Sequence, residues 1–143
     1  MTYLNFECTR DLSPTLDSVP STMHFLEYAS CYWGEHARLG MTENARILAL
    51  WLLDRFDEHI SAQLLLGHNA RDRHWGWVMR PGAGEPTGFT GLHAVVFLGI
   101  VELVAPALAM KEWDVGAVDC IGNTALTWAV RRGQEEVVKI LLE

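Results

Sequence analysis

Histidine and cysteine are the side chains of this chain that could bind a metal ion or attack a substrate. The histidines are His24, His36, His59, His68, His74 and His93, and the cysteines are Cys8, Cys31 and Cys120. No histidine is followed by a second ligand at the short spacing that zinc sites use. The sequence therefore predicts no metal ion and no cofactor.

A nucleophilic cysteine is the main catalytic alternative. Cys31 could attack a substrate only if a histidine approached its sulfur. Its position in an apolar helical stretch instead predicts a buried, inert thiol. His36 shares a helical stripe with Tyr32 and Trp33, which predicts a structural, hydrogen-bonded imidazole. We expect no enzyme activity, and a small hydrolase using a cysteine or a histidine-bound metal is the alternative.

Residues 69–87 are predicted to form a loop rich in arginine, tryptophan and glycine. Its glycine-rich part lacks the lysine and the strand–loop–helix context of a phosphate-binding loop. Trp75 and Trp77 could anchor a partner, because tryptophan and arginine contribute strongly to interfaces. Alternatively they cover the neighbouring helices, which is the role that we favour.

Three apolar segments upstream of this loop predict helices, which we expect to form an N-terminal helical cap, a degenerate repeat, over residues 23–68. The first helix ends before Gly40, and the next two are capped by Thr42 and Asp57, the last one ending at Gly67. The predicted buried stripe of the second helix consists of Ile47, Leu48, Trp51 and Leu52. Residues 1–22, with two prolines, are predicted to be a linker or the edge of a preceding domain.

The last third of the chain repeats itself at a period of 34 residues. The matched pairs are Gly88/Gly122, Thr90/Thr124, Leu92/Leu126, Gly99/Gly133, Glu102/Glu136, Val104/Val138 and Leu108/Leu142. Each threonine is predicted to cap a short helix, and Gly99 and Gly133 to end it with positive φ before a second helix. Two such helix–turn–helix units, over residues 88–143, must stack to bury their apolar faces.

Gly-Phe-Thr-Gly-Leu-His and Gly-Asn-Thr-Ala-Leu-Thr, which open the two units, resemble the start of the ankyrin repeat with its Thr-Pro-Leu-His motif. His93 keeps the motif histidine, which implies a bond to backbone. Gly91 and Ala125 replace its proline, and Thr127 replaces the second histidine. Pro106 lies inside a predicted helix, where we expect a kink or an early end.

The ankyrin resemblance implies an all-α solenoid with a short β-hairpin finger near Trp-Asp-Val-Gly-Ala-Val-Asp, which begins at residue 113. It also implies a protein partner or ligand bound on a concave surface formed by the finger and the first helices. The residues implied for partner binding are Ala94, Phe97, Trp113, Asp114, Asn123, Trp128, Arg131 and Arg132.

The segment from Phe25 to Arg38, with its core Trp-Gly-Glu-His-Ala-Arg, resembles the segment that joins a NACHT nucleotide-binding domain to ankyrin repeats in NOD-like receptors of filamentous fungi. This resemblance implies the start of a ligand-sensing ankyrin array in an innate immunity receptor. A structural hinge that relays movement from the nucleotide-binding domain is the alternative.

Composition excludes several classes of partner. The net charge is −7 without a basic cluster, which argues against nucleic acid and anionic membranes. An odd number of cysteines, no signal peptide and no long apolar run predict a cytoplasmic protein.

The predicted core contains Trp33, Trp51, Leu92, Leu126, Ala129 and Val138. The last helix is too apolar for one buried face, so we expect an exposed apolar patch between Trp128 and Leu142. A further repeat would stack on this patch, and without one the chain should self-associate.

Overall fold

The computed structural model describes residues 25–70, 88–110 and 113–143. The predicted linker and most of the 69–87 loop, including both of its tryptophans, lie outside these ranges. The described helices are α1 (Leu26–Arg38), α2 (Glu43–Asp54), a 3-10 helix (Phe56–Glu58), α3 (Ile60–Ala70), α4 (Gly91–Leu98), α5 (Val101–Met110), α6 (Ala125–Arg131) and α7 (Glu135–Leu142).

The two predicted repeat units are the helix pairs α4/α5 and α6/α7. Gly99 and Gly133 follow the first helix of each pair with φ of 69° and 66°, as predicted. α4 packs against α6 and α5 against α7, so the two units stack. The Thr124 hydroxyl caps α6 by accepting from the Thr127 amide at 3.1 Å. Thr90 does not cap α4 with its side chain, because its hydroxyl bonds to the His93 ring.

α5 continues through Pro106 to Met110, so the early end is wrong, and the other expected outcome at Pro106, a kink, stays a prediction. Proline has no amide hydrogen to donate to the carbonyl four residues earlier, which belongs to Glu102. α5 therefore lacks this one backbone hydrogen bond.

The predicted β-hairpin finger is not found among the described residues, because residues 113–124 form turns without strands. The Asp114 carboxylate accepts from the Gly116 amide at 2.9 Å, and the Asp114 carbonyl accepts from the Ala117 amide at 3.0 Å. Further along, the Asp119 carboxylate accepts hydrogen bonds from two more backbone amides. Aspartate side chains thus accept hydrogen bonds from backbone amides, which in a hairpin would donate to carbonyls of the neighbouring strand.

The N-terminal helical cap consists of α1 packed on α3, with α2 lying across both helices of the first unit. Thr42 caps α2 as predicted, accepting from the Ala45 amide at 3.3 Å. Asp57 does not cap α3, because it lies within the 3-10 helix. The Nδ1 atom of His59 instead accepts from the Ser61 amide at 3.1 Å. α3 also continues past Gly67 to Ala70.

The predicted buried stripe of α2 is right for Leu52, which is buried, and wrong for Trp51 and Ile47, which are 62% and 44% exposed. Leu48 is half-buried, and the other buried residues of this helix are Ala49 and Leu53. The other five predicted core residues are buried or half-buried. Trp33, Leu92 and Ala129 are buried, and Leu126 and Val138 are half-buried.

The two tryptophans of the helical cap therefore provide a matched pair of truncations. Trp33→Ala should lower the free energy of unfolding by about 3–5 kcal/mol, because it leaves a cavity in the core. Trp51→Ala should lower it by less than about 1 kcal/mol, because most of this side chain is already in water. Urea denaturation of both variants measures the difference. Equal losses would contradict the assignment of Trp51 to the surface.

Gly91, which replaces the ankyrin proline, lies where α2 approaches the start of α4. A Cβ atom at this position would overlap the Leu53 carbonyl oxygen and lie 2.7 Å from the Leu53 carbonyl carbon. Backbone atoms cannot move aside as a flexible side chain can. The close contact between α2 and the first unit therefore requires glycine, and it explains why proline is absent here.

Adding one methyl group tests this contact. Gly91→Ala should lower the free energy of unfolding by more than about 2 kcal/mol through overpacking. The control is Gly67→Ala in α3, where nothing lies within 4 Å of the added Cβ. That variant should be neutral or more stable by up to about 1 kcal/mol, since alanine favours helix. Stability of Gly91→Ala equal to that of the control in urea would refute the close approach.

Candidate partner-binding surface

A buried carboxylate holds the turn that precedes the second unit. Asp119 accepts from the amides of Ile121 at 3.0 Å and Asn123 at 2.9 Å through Oδ1. Its Oδ2 accepts from the indole Nε1 of Trp128 at 2.7 Å, and its own amide donates to the Asn123 carbonyl at 2.9 Å. These bonds compensate for the burial of a charged group and fix Asn123 and Trp128 relative to each other.

His93 links the first unit to this turn. Its Nε2 lies 3.2 Å from the Asn123 carbonyl oxygen, to which it donates, and its Nδ1 lies 2.9 Å from the Thr90 hydroxyl, from which it accepts. The predicted backbone-bonding role of this histidine is confirmed. Burial lowers the pKa of His93 below its ordinary value of 6.5, and the negative charges of Asp119 and Asp57 act in the opposite direction.

The lowered pKa of His93 should make stability depend on pH. The unfolded chain protonates this ring at a higher pH than the folded chain, so acid favours unfolding. The contribution of His93 to the free energy of unfolding should be complete above pH 6.5 and should decrease as the pH falls below it. The slope should approach about 1.4 kcal/mol per pH unit at most.

His93→Gln isolates this contribution, because glutamine can donate to the same carbonyl but does not titrate. Urea unfolding between pH 5 and 8, about the range in which histidine titrates, measures both proteins. The two curves should diverge in slope below pH 6.5. Parallel curves would show that His93 has the same pKa folded and unfolded.

The structure places four of the residues implied for partner binding in the interior. Ala94, Phe97, Asn123 and Trp128 are buried, and Trp128 is 0% exposed. The indole of Trp128 donates to Asp119. Its ring packs edge-to-face on the Phe97 ring, with the two ring centres 5.1 Å apart. In this conformation these side chains support the surface from inside and are not accessible to a partner.

The other four implied residues reach the surface. Asp114 and Arg131 are exposed, and Trp113 and Arg132 are half-buried. The indole Nε1 of Trp113 donates to the Ala107 carbonyl at 2.7 Å, which fixes this ring against α5. The Arg132 guanidinium carbon lies 4.7 Å from the centre of the Phe97 ring, a cation–π contact with α4.

Two further charged residues join Arg132 near the end of α4. Arg38 forms an ion pair with Glu35 one turn earlier on α1. A Cβ atom at Gly99, just after α4, would lie 3.6 Å from an Arg38 terminal nitrogen. Burial lowers the pKa of Arg132, the nearby positive charge of Arg38 lowers it further, and Glu35 acts in the opposite direction. Sequence reasoning missed this grouping, because α1 is far from Arg132 along the chain.

Of the remaining candidate catalytic groups, Cys31, His36 and His68 make structural contacts, and Cys8, His24 and His74 lie outside the described residues. The Cys31 thiol is buried and donates to the Leu64 carbonyl at 3.5 Å, a contact that does not activate a thiolate. The hydroxyls of Tyr28 and Tyr32 bond to the Nε2 atoms of His36 and His68 at 3.0 and 3.4 Å.

The described part of the chain contains no group of three or more histidine, cysteine, aspartate or glutamate side chains placed to hold a metal ion. Within the same ranges, none of the helices has the length and apolar content needed to cross a lipid bilayer.

The stacked helix–turn–helix units, joined by a buried polar turn, define a helical repeat protein. Residues 54–143 match the sequence profile of a family described as "Ankyrin repeats (3 copies)". More than half of the chain is covered, and the chain belongs to the ankyrin repeat family. Among solved structures, no significant match was found. Ankyrin repeats imply a protein-interaction module, which agrees with the protein partner expected from the sequence.

The match begins at Asp54, 34 residues before Gly88. This separation equals the period between the two units. The family match includes the 3-10 helix and α3, which belong to the N-terminal helical cap that the sequence predicts to be a degenerate repeat.

Proposed function

We propose that this chain recognises a partner protein through exposed side chains of its second unit and of the turns that precede it, chiefly Arg131 and Asp114. The support for this role is that exposed groups lie beside a rigid turn. Asp114 precedes the buried Asp119 turn, and Arg131 ends the helix that contains the buried Trp128. A surface fixed in this way loses little conformational entropy on binding. Trp113 contributes its half-buried ring beside Asp114.

We also propose that the chain forms the start of the ankyrin array in a cytoplasmic receptor of the NOD-like type from filamentous fungi. The supporting observation is that the Trp-Gly-Glu-His-Ala-Arg segment packs as part of the repeat core. Trp33 and Ala37 are buried in the same apolar cluster as α4. A Cβ atom at Gly34 would lie 2.9 Å from a methyl carbon of Leu98. A motif that docks onto the first repeat fits a segment that precedes an ankyrin array.

Self-association is a separate part of the proposal, and the structure alters the residues available for it. Trp128, one end of the expected apolar patch, is buried. Val130 and Leu142 are 62% and 69% exposed, and Ile140 and Leu141 are half-buried. We therefore assign self-association to Val130 and Leu142.

Charge-removing variants test the recognition role. Asp114→Asn keeps an acceptor for the Gly116 amide, and Arg131→Gln keeps a polar side chain of similar length, so the fold should persist. The double variant should recover its specific partners from filamentous-fungal cytosol at yields lower by about tenfold, as expected when interface hot spots are removed. Quantitative mass spectrometry of proteins captured by the full chain measures the loss.

The control removes an exposed ion pair on the N-terminal helical cap, Arg55–Glu58, through Arg55→Gln and Glu58→Gln. This variant makes the same change in charge and should capture the same proteins as the unaltered chain. If the Asp114/Arg131 variant also kept the full set, recognition would not use the second unit and the proposal would fail.

A further inference from the structure

A cleft of about 430 Å³ lies between α1, α2 and the turn that joins them. Four of its lining residues, Ala29, Trp33, His36 and Ala37, recur at three- and four-residue spacing along α1 and belong to one face of that helix. The start of α2 lines it with Ala45. A volume of this size falls within the range of small-molecule sites, about 300–1,000 Å³. The cleft is therefore large enough for a ligand of one or two rings.

The lining of the cleft is rich in aromatic rings and has no fixed charge. None of the described residues that line it is an aspartate, glutamate, lysine or arginine. The Tyr28 hydroxyl bonds to the His36 Nε2 at 3.0 Å, and the Tyr28 ring stacks on the Tyr32 ring with the two ring centres 5.0 Å apart. These contacts hold two rings of the cleft wall in place. Such a lining favours a neutral aromatic ligand over an ion.

Trp33 brings a hydrogen-bond donor to this cleft. Its side chain is 3% exposed, and its indole Nε1 is buried without a hydrogen-bond acceptor among the described residues. The indoles of Trp113 and Trp128, by contrast, both donate to protein oxygen atoms. A buried N–H that has lost water and gained no acceptor destabilises the fold. A ligand that supplied an acceptor would remove this cost, and the ligand would gain affinity from it.

We propose that the cleft between α1 and α2 binds a small neutral aromatic molecule that contains a carbonyl group. The carbonyl oxygen accepts from Trp33 Nε1, and the aromatic ring of the ligand packs against Tyr28 and His36. Because Nε1 is buried in this conformation, the indole turns slightly towards the cleft when the ligand binds. The inference goes beyond recognition of a partner protein and does not depend on it, since the cleft lies in the N-terminal helical cap.

A pair of ligands that differ in one atom group tests the hydrogen bond. The carbonyl ligand is 2-acetylnaphthalene, and its control is 2-isopropenylnaphthalene, in which a CH₂ group replaces the carbonyl oxygen. Each is titrated into the ¹⁵N-labelled full chain, and the chemical shifts of the protein give the Kd. The ketone should bind about five- to tenfold more tightly, because the control cannot accept a hydrogen bond. The Trp33 indole proton should move downfield with the ketone.

Two tryptophan variants show whether Trp33 causes this preference. Trp33→Phe keeps an aromatic ring but removes the N–H, so the two ligands should bind with nearly equal Kd. Trp51→Phe is the matched control, because Trp51 is 62% exposed and is not among the residues that line the cleft. This control should keep the preference for the ketone.

A third variant fills the cleft and keeps the donor. Ala45 is half-buried, and Ala45→Leu adds three carbon atoms to the wall, so binding of both ligands should weaken by at least about tenfold. Ala109→Leu, at an exposed position of α5 that does not line the cleft, is its control and should leave both Kd values unchanged. Circular dichroism of each variant checks the fold, and if Trp33→Phe unfolds, Ala45→Leu and the indole shift decide the question.

Three outcomes would overturn the inference. They are no saturable binding of 2-acetylnaphthalene, equal Kd values for the two ligands in the unaltered chain, and full binding by Ala45→Leu. None of these outcomes affects the recognition role of Asp114 and Arg131, because that role is measured separately by partner capture.

Discussion

The buried carboxylate of Asp119 is the interaction on which the relation between the two units depends. A buried carboxylate is costly unless donors surround it, and here two backbone amides and one indole supply them. Those bonds place the Asn123 carbonyl where His93 of the first unit can donate to it. A second hydrogen bond joins the units near the other end of α4, where Gln134 Nε2 donates to the Val96 carbonyl at 2.9 Å. The helices can stack in register because both ends of α4 are fixed by polar bonds as well as by apolar packing.

Close approach of backbone is the second constraint, and it acts between the N-terminal helical cap and the first unit. Gly91 meets the Leu53 carbonyl, and Gly34 meets the side chain of Leu98. Glycine is required at the first position for lack of space and not for its freedom of φ, because neither residue has a positive φ. The departure from the ankyrin pattern at Gly91 is therefore a consequence of what packs against this repeat.

Features set by local physics could be predicted from the sequence. The period of the two units, the positive φ of Gly99 and Gly133 and the caps at Thr42 and Thr124 depend on residues close in sequence. The opening residues of the two units also resemble the ankyrin repeat, and the family match over residues 54–143 agrees with that resemblance. The phase of α2 could not be predicted, because apolar residues occupy every position from Ile47 to Leu53 and periodicity does not select a face.

The candidate site was the least predictable part for a related reason. Resemblance identifies positions in a repeat, but burial depends on what this particular chain places over them. Trp128 would be a good interface residue if its indole faced water. Asp119, nine residues earlier, accepts that N–H and draws the ring into the interior. The prediction of a β-hairpin finger was wrong because the aspartates of the hairpin-like sequence accept hydrogen bonds from nearby backbone amides.

One chain of contacts joins the surface to this interior. Arg132 packs on Phe97, the Phe97 ring meets Trp128 edge-to-face, and Trp128 donates to Asp119. Each member restricts the next, so the guanidinium group at the surface is positioned by the carboxylate that joins the units. The Arg132 side chain has therefore already lost much of its rotamer freedom. In this protein the residues that stabilise the repeat stack also restrict an arginine at its surface.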